Sequence, residues 1–203
     1  MKKLLLTGFE PFGGEKINPA LEAVRSVKDQ IGSLRVIKLQ VPVVYHEAGR
    51  VVCEAMEKEK PDAVLCIGQA GGRDAVTVER VAVNVMDAAS PDNVGQVMQD
   101  IPVVPEGPDG YLATLPVKKM IAAVQEKQIP CRISNTAGTY VCNSLIYQVQ
   151  HWAQQNMPGV KACFVHVPYV PEQTLDKPDK PSMPLVDIIT AIEAAIEAIE
   201  KEM

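Results

Sequence analysis

Along this 203-residue chain, apolar and polar positions alternate in blocks that predict strands and helices by turns. Leu4 to Thr7 is a continuous apolar run, the pattern of a parallel strand covered on both faces. A loop follows, Gly8-Phe9-Glu10-Pro11-Phe12-Gly13-Gly14. Asn18-Pro19 reads as a helix start, with Asn as the cap and Pro at the first helical position. Leu21, Val24, Val27 and Ile31 then give an inward stripe, and Gly32 ends it. Leu34 to Val41 is the second strand, stopped by Pro42. Tyr45 to Lys60 is the second helix, with Ala48, Val51, Val52 and Ala55 facing in and His46 as a partly solvated residue near its start. Ala63 to Ile67 is the third strand.

Val76 to Val85 reads as a strand with a fault. Val76 and Val78 keep one phase, while Val81, Val83 and Val85 keep the other. The slip falls at Glu79-Arg80 and predicts a bulge of the kind that re-aims side chains near active sites; an ordinary surface ion pair is the alternative. Asp87 to Gly110 is rich in Pro, Gly, Asp and Asn and lacks periodicity, which predicts a long functional or interface loop. Val117 to Gln128 is the third helix and Cys131 to Ser134 a short buried strand. Val141, Leu145, Val149 and Trp152 lie on one face of a helix that ends near Asn156. Ala162 to Val167 is a further buried strand. After a polar loop, Glu172 to Met183, an amphipathic helix from Pro184 to Glu200 closes the chain. Strands alternating with helices predict an α/β fold, and the length suits one domain over residues 1–203 with one core.

Composition narrows the function. The formal net charge is −5, which disfavours nucleic acid or an anionic membrane as the main partner. Five cysteines, an odd number without a C-x-x-C pair, argue against a disulfide framework or a zinc site and fit a reducing, cytoplasmic compartment. Met1 to Leu6 resembles the opening of a signal peptide, but Gly8, Glu10 and Pro11 interrupt the apolar run, so it reads as a strand. No apolar run approaches the ~20 residues of a membrane span.

Cys142 has the strongest claim to chemistry. It falls in the first turn of a helix, after a strand and the turn Asn135 to Tyr140, where unpaired amides and the helix dipole favour a thiolate. Cys131 and Cys163 sit inside apolar runs and suit an inert core role. Of the three histidines, His166 alone stands at a strand terminus, where open α/β sheets place catalytic groups. A thiol needs a base and the base needs an acceptor. Glu79 is the available third member. The turn Gly68-Gln69-Ala70-Gly71-Gly72-Arg73 offers backbone donors at another strand end. The chain has only three Phe, and two of them, Phe9 and Phe12, lie in the first loop; they either anchor it or line a flat apolar slot.

These stretches carry a resemblance to the pyroglutamyl peptidase I (pyrrolidone-carboxylate peptidase) family over nearly the whole length. Leu6 to Gly14, Asn18-Pro19, Ile67 to Arg73, Val78 to Asn84, Thr136 to Asn143 and His166 to Tyr169 match its motifs. The resemblance implies an open α/β/α sandwich, with a mostly parallel twisted sheet and helices on both faces, and a homotetramer. It implies a cysteine peptidase with Cys142 as nucleophile, His166 as base and acid, and Glu79 orienting the imidazole. Phe9 and Phe12 would clasp a lactam ring, with Asn18, Gln69, Tyr140 and Val141 lining the pocket. The substrates implied are peptides with N-terminal pyroglutamate, and no cofactor or metal is needed. The chain departs from the family pattern where an Arg and an Ile are commonly found, here Ala89 and Ser90, and where a His is common, here Ser144. Two rival readings are a non-catalytic binding homologue that keeps the pocket and a nucleoside phosphorylase-like enzyme suggested by sheet order alone.

Overall fold

A computed structural model describes residues 1–203. Its centre is a seven-stranded sheet built from β1 (Lys2–Phe9), β2 (Gln30–Ile31), β3 (Leu34–Val41), β4 (Ala63–Gln69), β5 (Val76–Glu79), β10 (Cys131–Ser134) and β11 (Lys161–Val167). The order across it is β10-β5-β11-β4-β1-β3-β2. Strands β11, β4, β1 and β3 run parallel, as their apolar runs predict. Strand β5 opposes β11, and β10 follows β5, so this edge runs against the rest.

Alternation along each strand sends side chains to two separate cores. Leu4, Leu6, Leu65 and Ile67 pack under α1 (Pro19–Ser26), α3 (Val117–Glu126) and α5 (Leu185–Lys201). Leu5, Val64, Cys66 and Phe164 pack under α2 (Glu47–Glu59) and α4 (Val141–Asn156). The layers are those of an α/β/α sandwich. No helix is long and apolar enough to cross a membrane.

Three expectations change. The first helix stops at Ser26 and does not reach Gly32. Val27 and Ile31 are still buried, but the chain reaches them through a hairpin: Gly32 turns at φ +56° and Gln30–Ile31 pairs antiparallel with β3. A four-residue apolar spacing fits both shapes, and edge pairing with a free strand decided between them.

The fault at Glu79-Arg80 is a change of sheet and not a bulge. Strand β5 ends at Glu79; Arg80 donates its N–H to Ser134 O (2.8 Å) and accepts from Ala113 N (2.8 Å). Beyond it, β6 (Val81–Val83) pairs with β9 (Gly110–Leu112) in a separate two-stranded sheet. The apolar phase therefore reverses because the second half faces a different partner.

The stretch 87–110 is ordered by side-chain hydrogen bonds that leave no apolar period. A ribbon of β7 (Met86–Ala88) and β8 (Met98–Ile101) frames it. Buried Asp92 accepts from Val94 N and Gln96 N through Oδ1 and from Tyr45 N through Oδ2. Asn93 Nδ2 donates to Glu10 Oε1 (2.9 Å) and Pro11 O (3.0 Å), fastening the segment to the first loop.

Asn143, fully buried in the first turn of α4, anchors the same region. Its Oδ1 accepts from Val83 N (2.9 Å), and its Nδ2 donates to Val83 O (2.8 Å) and Val85 O (3.1 Å). Asn143→Ala strands three partly buried backbone groups of Val83 and Val85. We expect a loss of about 1–3 kcal/mol or more, read as a lower urea midpoint; an unchanged midpoint would contradict this role for the side chain.

Candidate active site

His166 is the next-to-last residue of β11, beside Gly68 of β4 on one side and Thr77 of β5 on the other. Glu79, the last residue of β5, shares its face of the sheet. His166 Nδ1 lies 2.8 Å from Glu79 Oε1. A carboxylate only accepts, so Nδ1 carries the proton and Nε2 keeps its lone pair. The Phe164 ring, two residues back on the same face, lies 4.7 Å from the imidazole between centroids.

Cys142 is the second residue of α4 and is partly buried. Its Sγ lies 3.1 Å from the point where a β-carbon on Gly68 would stand, and Phe164 Cζ lies 2.7 Å from the same point. Gly68 is the register partner of His166. Only a residue without a side chain leaves room for the thiol there. Glu79, Cys142 and His166 thus meet on the α2/α4 face, at the sheet position where β4, β11 and β5 lie side by side.

Arg73 completes the cluster. Its Nη1 donates to Glu79 Oε1 (2.6 Å) and to Thr77 Oγ1, and its Nη2 donates to Thr136 O (3.2 Å). One guanidinium therefore links the Gly-rich turn, the carboxylate and the loop that leads to Cys142. Burial alone would raise the Glu79 pKa, but the His166 hydrogen bond and the His166 and Arg73 charges hold it below the usual carboxylate range. Burial pushes the His166 pKa down, with Glu79 opposing. The resting pair is a carboxylate and a neutral imidazole.

The thiol departs from expectation. Burial pushes Cys142 up to about 12, and the Glu79 charge adds to it; Arg73 and the Cys142 backbone N–H pull the other way. The helix start does favour the thiolate, as its dipole predicts, but desolvation is larger. The resting sulfur therefore carries its proton.

At the start of α4 the amides of Val141, Cys142 and Asn143 have no backbone acceptor, and they form a donor cluster beside the thiol. In the facing turn the Ala70 amide is occupied by Val167 O (2.9 Å) and is not a free donor.

The residues expected to line a pocket divide. Phe9 ends β1 and is buried, with its ring 6.3 Å from Phe164. Phe12 is partly buried and meets Tyr140 at 6.2 Å. Tyr140 caps α4 and donates its hydroxyl to Pro91 O (2.9 Å). Val141 is fully buried in the first turn of that helix. Asn18 Oδ1 accepts from Ala20 N (3.0 Å) and its Nδ2 donates to Glu10 O (3.0 Å), so this carboxamide is committed to the cap and the loop. Gln69 Oε1 accepts from Gln173 Nε2 (2.9 Å).

A family model described as pyroglutamyl peptidase matches residues 2–202. The chain belongs to the pyroglutamyl peptidase family. Pyrrolidone-carboxylate peptidase 1 of Caldanaerobacter subterraneus subsp. tengcongensis is 48% identical over 201 residues, covering 99% of each chain. The pyrrolidone-carboxylate peptidase of Thermoanaerobacter sp. is 49% identical over 200 residues, covering 98% of each. The crystal structure of pyroglutamyl peptidase I from Bacillus amyloliquefaciens superposes with a TM-score of 0.95 at 40% identity, covering 99% of this chain and 98% of that one. A mutant pyrrolidone carboxyl peptidase from Pyrococcus furiosus gives 0.94 at 41% identity, covering 98% and 99%.

Ala89 and Ser90 are exposed, while Ser144 is buried and accepts from Gln148 Nε2 (3.0 Å). Sequence reasoning missed Arg73 and Phe164 as members of this cluster. Arg73 had one signal, a lone cation closing a Gly-rich turn six residues before the acid. Phe164 had another, its place two residues before His166 on one strand face.

The Arg73 charge holds the pKa values of Glu79 and His166 down. A lowered Glu79 pKa contributes stability that is present above the ordinary carboxyl range and lost as pH falls through the folded value. Arg73→Met is expected to cost about 1.5–3 kcal/mol at neutral pH. It should also let the His166 pKa rise, so that the acid limb of kcat/KM moves to higher pH. A pH–rate profile superimposable on wild type would contradict the linkage.

Proposed function

We propose that this chain, residues 1–203 acting as one peptidase domain, removes N-terminal pyroglutamate from peptides, with Cys142 as nucleophile, His166 as base and acid, and Glu79 as the group that orients the imidazole. The observation that carries the assignment is the 2.8 Å His166–Glu79 pair set beside a thiol that only Gly68 can admit, in a chain of this family. In the proposed cycle the sulfur bonds to the carbonyl carbon of the pyroglutamyl–X bond while its proton passes to His166 Nε2. The developing oxyanion takes hydrogen bonds from the free amides at the start of α4. His166 returns the proton to the leaving amine as the C–N bond breaks. It then takes a proton from the water that attacks the thioester carbonyl, and gives it back to the sulfur as the C–S bond breaks.

The rings of Phe12, Tyr140 and Phe9 support a flat, uncharged acyl group. A lactam has no ammonium or carboxylate to bury, whereas an N-terminal Glu has both, at a cost of several kcal/mol when unpaired. Asn18, Gln69 and Val141 belong to the same pocket in this reading. Five free cysteines support a reducing, cytoplasmic setting, and a homotetramer belongs to the same proposal; light scattering tests the latter.

Release of aminomethylcoumarin from its pyroglutamyl amide under reducing conditions tests the function. Wild type should release it, and the glutamyl amide should stay intact. Cys142→Ser should lower kcat/KM by about 10³-fold or more while leaving the circular dichroism spectrum unchanged. A folded wild-type protein with no release favours a binding homologue.

A further inference from the structure

Glu79 has two carboxylate oxygens, and only one of them is paired. Oε1 accepts from His166 and from Arg73, while Oε2 is closed off from solvent and has no hydrogen-bond partner. An ionised carboxylate has lone pairs to satisfy on both oxygens, and a bare one in a dry site weakens the hold on the charge. With bulk water shut out, the missing donor has to come from the chain itself.

The sheet limits the choice. Glu79 ends β5, with Phe164 of β11 as its register partner on one side and Ser134 of β10 on the other. Register partners present their side chains to one face, on strands about 5 Å apart. Phe164 has no donor. Ser134 has a hydroxyl, and it ends β10 where the chain turns toward Cys142. Its carbonyl is fixed by Arg80 N (2.8 Å). Its Oγ lies 2.9 Å from Thr136 O and accepts from Thr136 N (3.3 Å). Thr136 O also accepts from Arg73 Nη2 (3.2 Å), so it stays paired when the hydroxyl turns away. A hydroxyl proton rotates to suit its acceptors, and a bond to a carboxylate is the stronger one. Burial raises the Glu79 pKa; against it, hydrogen bonds from His166 and Ser134 and the charges of His166 and Arg73 hold it below the usual range. The titratable or charged groups facing Glu79 are His166 and Cys163 on β11, Arg73 after β4 and Cys142 on α4. Ser134 is the neutral donor beside them.

We propose that Ser134 is a positioning residue, whose hydroxyl donates to Glu79 Oε2 and locks the carboxylate that orients His166. This deepens the peptidase reading above and rests on it. The terminal torsion of a glutamate is broad, so a carboxylate gripped at one oxygen can pivot. Gripped at both, it holds the His166 Nδ1–H in line, and the imidazole with it. The bond also favours the ionised form of Glu79, so its loss raises the proton affinity of the coupled Glu79–His166 pair. A base that keeps its proton takes none from Cys142, which places the loss on the acid side of the pH profile.

Ser134→Ala and Ser134→Thr separate this role from a structural one. Two measurements are made on wild type and both variants. One is release of aminomethylcoumarin from its pyroglutamyl amide across pH. The other is the pH titration of the His166 ring nitrogens by NMR, in a chain with only three histidines. For Ser134→Ala we expect kcat to fall about tenfold, the effect of one hydrogen bond to a charged group, with KM within about twofold. The acid limb of kcat/KM and the His166 titration should both move to higher pH. Ser134→Thr, which keeps the hydroxyl, should restore both. Coincident pH profiles and titrations in wild type and Ser134→Ala overturn the proposal. So does a rise in KM alone, which would assign the hydroxyl to the substrate, and so does a Ser134→Thr that behaves as Ser134→Ala. A wild type that releases no coumarin, with its His166 titration still displaced by Ser134→Ala, sinks the peptidase reading and leaves the Ser134–Glu79 contact standing.

Discussion

A single carboxylate, only 2% exposed at the end of β5, sets the conditions for everything around it. An ion so placed survives only if paired and hydrogen-bonded. Glu79 is paired twice through one oxygen, to His166 and to Arg73. Those two partners come from β11 and from the turn after β4. The same guanidinium grips Thr136, in the loop that delivers α4. Satisfying one buried charge thus fixes four segments against one another, and Cys142 rides on one of them.

The second constraint is an absence of atoms. Gly68 lies in the strand beside His166, and a methyl group there would strike Phe164 and the sulfur of Cys142. The helix can carry its thiol over the sheet only because that position is bare. The consequence is electrical as well as steric. Brought this close to the core, the thiol loses more from desolvation than it gains from the helix start, so it rests as a neutral group beside a neutral imidazole. Charge separation is then confined to the moment of reaction, when the donor amides have something to stabilise.

Much of this was readable from residues alone where the physics is local. Apolar runs located the central strands, and their parallel order followed. The strand–turn–helix around Cys142 singled out the thiol, and a strand terminus singled out His166. What escaped was decided by contacts between distant segments. Val27 and Ile31 fit a helix by spacing, but a free sheet edge drew them into a hairpin. The phase reversal after Glu79 was visible, yet its cause, a second partner sheet, was not. The stretch 87–110 looked structureless because polar side chains such as Asp92 and Asn93 hold it, and they leave no periodic mark. Arg73 escaped for a related reason: its Gly-rich turn marked it as a lone cation, but not that it would reach Glu79 and Thr136.

The strand order has a further consequence, for the time at which the site comes into being. Strand β11 lies between β5 and β4, both made much earlier in the chain, and it brings the imidazole to a carboxylate 87 residues upstream. A central slot filled by one of the last elements makes the decisive contacts long-range, and such contacts close slowly. In the proposed reading, a chain whose sheet has not closed holds the thiol without its base. The unfinished molecule would then be spared its own chemistry.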